Sequence, residues 1–270
     1  MNERPTSDRV VAPDRASLAI GSLLAFLLLA PLFGLVVSAR PSDLWAALAS
    51  PSVWSALEIS LVTTCLTALL TLVLGTPLAW SLARSEYRAA PAIELVLRLP
   101  IVLPPSVAGV ALLLAFGRRG PFAGWLYPEG TTLAFTGLAV VLAQTFVAAP
   151  LYVQGAVAAF RRIDARVLLV ARSLGASPTR LLLRVAMPML APALIAAIAM
   201  CWARALGEFG ATLLFAGNME GRTQTLPLAI YTAFESDLAV ARATSIVLVL
   251  VALVVLVVVR VLERRSEAHA

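Results

Sequence analysis

The 270-residue sequence has no lysine, one histidine and two cysteines. The histidine, His269, stands one residue from the end, so histidine-based acid–base catalysis and most histidine metal sites are excluded. Cys65 and Cys201 lie in separate apolar runs, far apart, and make neither a C-x-x-C motif nor a disulfide framework; they read as small core residues. Charge is scarce as well. Only 13% of residues are charged, against about a quarter in a soluble domain, which excludes an ordinary soluble enzyme. Apolar residues fill the chain instead, at 60% of positions with a mean hydropathy of +0.92.

A hydrocarbon layer ~30 Å thick takes about 20 apolar residues per spanning helix. Runs of that kind fall at 18–39, 57–83, 99–116, 133–159, 187–206 and 239–262, so the sequence predicts an all-α integral membrane protein with six transmembrane helices. The first run exceeds the roughly 7–15 apolar residues of a signal peptide and reads as a span. Placing both termini in the cytoplasm puts fifteen of the 21 arginines inside: Arg4, Arg9, Arg15, Arg84, Arg88, Arg98, Arg161, Arg162, Arg166, Arg172, Arg180, Arg184, Arg260, Arg264 and Arg265. That excess follows the positive-inside rule. The net charge of +6 therefore reports topology, with no nucleic-acid partner implied. Trp45, Trp54 and Trp125 fall at the outer edges, where an aromatic belt belongs. Glu58 reads as an outer-interface residue, and Arg242, near Glu235 and Asp237, as an anchor of the last span.

No repeat or polar linker divides the chain. Its expected organisation is a cytoplasmic tail over 1–17, a first helix and outer loop over 18–54, a five-helix domain over 55–262 and a cytoplasmic tail over 263–270. Within the domain, residues 161–188 form the most polar internal stretch. There Asp164 is placed to cap a helix from Ala165 to Leu174, Gly175 to end it in a left-handed turn, and Ser177-Pro178 to start the next helix. Val167, Val170, Ala171 and Leu174 share one face beside Arg166 and Arg172. Two readings fit: an elbow packed beneath its own bundle, or a docking knob for a groove on a soluble partner.

Arg172 to Pro188, RSLGASPTRLLLRVAMP, resembles the cytoplasmic EAA loop of binding-protein-dependent ABC importer permeases. Ala171, Leu174, Gly175, Ala176 and Pro188 match its pattern, whereas Leu169 stands where the loop has its glutamate and Val170 where it has its first alanine. The resemblance implies a type I ABC importer permease fold, in which this loop rests in a cleft of the ATPase subunit. Asp164, Val167, Arg172 and Ser177 belong to the same expected coupling loop.

Leu99 to Pro121 opens with Pro100, Pro104 and Pro105, which mark a kinked or broken span, either shaping packing or bending during gating. It is similar to the third span of molybdate permeases, including the GRRGP turn. Gly207 to Tyr231, GEFGATLLFAGNMEGRTQTLPLAIY, resembles the corresponding segment of molybdate permeases closely. The resemblance favours molybdate over sulfate at Asn218, Gly221, Arg222, Gln224 and Thr225, and leaves tungstate open. Arg204 and Glu208, four apart on a helix, are able to pair, since an isolated charge in a bilayer is expensive. Gly207 and Gly210 permit a break or close approach, and Thr212, Asn218, Arg222, Thr223 and Thr225 supply donors for an outer vestibule or an ordinary polar loop.

The functional expectation is an importer permease in the cytoplasmic (inner) membrane, with no catalytic residue, no metal and no cofactor of its own. No G-x-x-x-x-G-K-S/T loop occurs, so ATP belongs to a partner. The resemblance implies a homodimer of this permease in the lipid bilayer, two ABC ATPase subunits below and an extracytoplasmic molybdate-binding protein above. An intramembrane enzyme would need intramembrane histidine, paired carboxylates or an activated serine. A secondary transporter would show duplicated halves.

Overall fold

A computed structural model describes residues 15–85, 88–123 and 132–267, with side chains from 18 to 262. Arg4, Arg9, Trp125 and His269 lie outside the described residues, as do the side chains of Arg15, Arg264 and Arg265. All regular structure among the described residues is helical. We number the helices α1 (Arg15–Ser38), α2 (Pro41–Ala49), α3 (Pro51–Arg84), α4 (Ala90–Val102), α5 (Pro105–Phe116), α6 (Gly137–Arg161), α7 (Ala165–Ser173), α8 (Pro178–Met189), α9 (Ala191–Leu206), α10 (Gly210–Ala216), α11 (Leu226–Ser236) and α12 (Leu238–Glu267).

Four of these, in α1, α3, α6 and α12, are long and apolar enough to cross a membrane alone. The other two expected spans are bent pairs. α4 and α5 meet at 113°, and α8 and α9 at 85°. The first break has a plain cause. Pro104 and Pro105 lack N–H groups, and Leu103 before them takes an extended conformation (φ −65°, ψ 135°), as a residue preceding proline does. Pro100, which the sequence grouped with them, is accommodated inside α4. The third span thus starts near residue 90 instead of 99. In α8 the chain widens over Leu182–Ala186, where the Met187 N–H donates to the Leu182 carbonyl, five residues back. Pro188 follows at once, and a widened turn is one way a helix carries a proline.

Other boundaries also move. The expected outer loop after the first span is largely α2, and α3 begins at Pro51, each helix opening on a first-turn proline. The last helix continues to Glu267, so most of the expected C-terminal tail is helical.

The core has two centres. α3, α6 and α9 pack around Tyr152, Phe160, Leu194 and Cys201, while α5, α6 and α10 pack around Ala108, Val140, Ala211 and Phe215. Gly155 lets α6 and α9 approach closely; a Cβ there would lie 2.8 Å from that of Ala197. Cys201 is core as expected, but Cys65 is exposed on the outer face of α3. Trp45 and Trp54 are exposed, and the Trp54 indole donates to the Leu48 carbonyl at 2.6 Å. Glu58 is exposed too. Arg242 anchors α12 to the α1–α2 corner, donating to the Ser38 carbonyl at 3.1 Å and lying 3.6 Å from Asp43. Its partners are therefore far away in sequence, and neighbouring Asp237 instead accepts the Ala239 N–H at the start of α12.

Candidate functional site

At one end of the bundle, α7 stands out from the core. Asp164 accepts the Arg166 N–H at 2.9 Å, which satisfies a free donor of the first turn. The helix ends in a paired C-terminal motif, with Gly175 N–H donating to the Arg172 carbonyl at 2.9 Å and Ala176 N–H to the Ala171 carbonyl at 3.1 Å. Gly175 sits at φ +82°, and open space surrounds the position of its missing Cβ. The backbone conformation alone thus selects glycine here. Ser177 then accepts the Arg180 N–H at 3.3 Å and opens α8 on Pro178.

The face of α7 is uncovered. Leu174 is 83% exposed, and Leu169, Val170 and Val167 are exposed beside Arg166 and Arg172. Ala171 and Ala176 are half-buried, and Leu168 is the α7 side chain packed on the core. An apolar surface with a basic rim that the chain's own bundle leaves open is suited to a groove on another protein. Pro188 is exposed near the end of α8, beyond this knob.

A second constellation joins the broken third span to the segment after α9. Gly210 rests on Pro105, where a Cβ would fall 2.8 Å from the proline Cβ, and a Cβ on Gly109 would fall 2.8 Å from the Leu214 Cβ and 3.0 Å from the Ala211 Cα, too close for either. α5 and α10 therefore run side by side in backbone contact. Glu208, buried in the turn between α9 and α10, accepts the Ala211 N–H at 2.9 Å and lies 2.8 Å from Arg204. One carboxylate thereby caps α10 and neutralises an arginine. Gly207 closes α9, its N–H donating to the Ala203 carbonyl.

The remaining polar residues of this segment diverge. Thr212 and Thr225 are buried with hydroxyls that have no partner among the described residues. Thr223, also buried, accepts the Met219 N–H at 3.0 Å. Asn218 donates to Thr232 at 2.8 Å and accepts from Gln224 at 3.0 Å. Arg222 is exposed. So Asn218 and Thr223 fasten the loop between α10 and α11, while Thr212 and Thr225 retain unused hydroxyls.

The sequence reading missed one polar feature. Ser60, Thr63, Thr64, Thr67 and Thr71 recur along one face of α3 and are buried. Thr67 donates to Gln144 Oε1 at 3.0 Å, and Gln144 Nε2 donates to Thr63 at 3.2 Å. Further along, Thr76 and Tyr152 share a 2.6 Å hydrogen bond. Ser60 accepts the Leu226 N–H at 2.7 Å, tying α3 to the start of α11. The signal was present as helical spacing of hydroxyl residues in an apolar run.

Comparison with known proteins supplies the context. Residues 72–268 match the family described as binding-protein-dependent transport system inner membrane component. The chain is 42% identical over 225 residues, 83% of its length and 85% of the relative's, to the molybdenum transport system permease protein ModB of Mycobacterium tuberculosis. It is 38% identical over 184 residues to ModB of Escherichia coli, covering 68% of this chain and 80% of that one. Among solved structures, the fold is similar to a bacterial alginate ABC transporter (TM-score 0.75, 16% identity, 93% of each chain). It is also similar to the inward-facing MetNI methionine ABC transporter (TM-score 0.61, 18% identity, 84% of this chain and 99% of that one). The family match covers most of the chain and the sequence relatives extend it, so this chain belongs to the binding-protein-dependent transport system inner membrane components, as a multi-pass transport subunit.

Proposed function

We propose that the chain is the permease of a molybdate importer, acting as a homodimer with both termini in the cytoplasm. Two ABC ATPase subunits supply the ATP hydrolysis, and an extracytoplasmic molybdate-binding protein delivers the oxyanion. The observation that carries the reading is the uncovered knob of α7, held out by the Gly175 turn and presenting Leu174 and Val170 beside Arg166 and Arg172. The similarity to molybdenum transport permeases supports the substrate.

Transport by this chain is mechanical. Closure of the ATPases displaces α7, and the displacement tilts the spans so that the pathway opens alternately to either side. The flexible points are the α4–α5 and α8–α9 breaks. Pro104, Pro105, Gly207 and Gly210 adjoin the first of these and the α9–α10 turn, where Arg204 offers a positive charge that Glu208 holds in check. Thr212 and Thr225 are buried here with hydroxyls that have no partner among the described residues, and they become available to the oxygens of a tetrahedral anion as the pathway opens.

Co-expression with its ATPase tests the reading. Leu174→Glu places a charge on a side chain that is 83% exposed, so membrane insertion stays normal while ATPase co-purification falls sharply. Undiminished co-purification in that variant would refute α7 as the docking element.

A further inference from the structure

The α7 knob has little side-chain contact with the bundle, which raises the question of what carries its displacement into the spans. Leu168 packs on the core, and the chain continues backwards through Asp164 and Ile163 into α6. At that corner lies Arg84, the last residue of α3. Its Nη2 donates to the Phe160 carbonyl at 2.7 Å and to the Ile163 carbonyl at 3.2 Å. The guanidinium lies 5.4 Å from the centre of the Trp80 ring, and Trp80 meets Phe160 edge-on at 5.3 Å. Phe160 and Ile163 are both buried in the core.

These contacts close a loop of three elements. The carbonyls at a helix C-terminus carry partial negative charge, and a planar cation with several N–H groups is suited to hold more than one of them. Asp164, which caps α7, is the very next residue after Ile163. The other half of α3 holds Ser60, whose hydroxyl takes the Leu226 N–H at the start of α11. Ser60 and Arg84 are 24 residues apart on one continuous helix that carries Pro77 in its interior, a rise of about 36 Å. α3 is thus a lever with the α7 corner at one end and the segment containing Thr225 at the other.

We propose that Arg84 is a positioning residue of the transport cycle: it locks the end of α3 to the α6–α7 corner, so that displacement of α7 moves α3 instead of being absorbed at Arg162 and Ile163. The proposal rests on the reading of α7 as the docking element. It assigns Arg84 no contact with substrate.

The test uses the full permease–ATPase complex in proteoliposomes, with radiolabelled molybdate uptake and ATP hydrolysis measured together for wild type, Arg84→Ala, Arg84→Gln and Arg84→Lys. The docking face is untouched, so the variants co-purify with the ATPase. Arg84→Ala lowers molybdate transported per ATP by about five-fold or more, the size of an ordinary coupling between sites. Arg84→Lys, whose ammonium still donates to the carbonyls, restores much of the ratio, and Arg84→Gln, with donors but no charge, restores less. If Arg84→Ala does not accumulate in the membrane, the comparison of lysine with glutamine decides. An unchanged ratio, or uptake and hydrolysis falling in parallel with a lowered melting temperature, overturns the proposal and leaves Arg84 a structural staple. A wild-type chain that does not co-purify with the ATPase instead overturns the docking reading, and this proposal with it.

Discussion

Gly210 and Pro105 touch without a side chain to separate them: a Cβ on the glycine would lie 2.8 Å from the proline Cβ and 3.3 Å from its carbonyl carbon. The broken third span and the segment after α9 are therefore one packing unit, closed by Gly109 against Ala211 one turn further on. Gly109→Val forces α5 away from a backbone that cannot yield as a side chain would. We expect a loss of about 1–3 kcal/mol, typical of overpacking, read as a lower melting temperature of the purified protein. Unchanged stability would mean that α5 and α10 are not in register as described.

Arg204 and Glu208 form an unequal pair, since Glu208 is 1% exposed and Arg204 33%. Arg204→Ala leaves a buried carboxylate compensated, among the described residues, by the Ala211 N–H alone. The cost stays below the ~3–5 kcal/mol of a fully buried pair, because water already screens part of the arginine. Adding Glu208→Gln, which keeps an acceptor for Ala211 without the charge, recovers most of the loss. Thermal melts of the single and double variants check this, and a double variant no better than the single would count against the pairing.

Open space surrounds the position of a Cβ on Gly175, so its replacements report on backbone conformation alone. Gly175→Val disfavours the left-handed turn by roughly 1–2 kcal/mol or more, and Gly175→Asn by less, since asparagine enters that region more readily. ATP-coupled uptake should therefore fall in the order Gly, Asn, Val, with membrane insertion equal in all three. Wild-type coupling in the valine variant would remove the elbow from the mechanism.

Gln144 bridges Thr63 and Thr67, but both hydroxyls have other carbonyls within reach, at Ile59 and Val141. Gln144→Leu should therefore cost only about 1 kcal/mol, in the range of interhelical hydrogen bonds in membranes. A melting-temperature change far larger than this would show that the ladder is a cooperative network.

The sequence was most informative where a local rule decides the structure alone. Asp164, Gly175 and Ser177-Pro178 are a cap, a left-handed turn and a restart, and each acts there as the residue type requires. The apolar runs located all six candidate spans because bilayer thickness sets their length. Tertiary features were less legible. Three prolines marked the third span as broken, but only packing places the bend at Leu103 and spares Pro100. The acidic neighbours Glu235 and Asp237 drew attention away from the Ser38 and Asp43 partners of Arg242, which lie some two hundred residues earlier. Cys65 looked like core because its run is apolar, yet on a helix in lipid an apolar face also points outward. Arg84 counted only towards topology, since nothing local announces that it reaches the end of α6.

The most direct test of the central claim is radiolabelled molybdate uptake by cells lacking this gene and by the same cells carrying it, with excess sulfate or tungstate as competitor. The account predicts uptake that depends on the gene, is blocked by tungstate and is little affected by sulfate. Molybdate uptake indifferent to the gene, with sulfate uptake lost in its place, would contradict it.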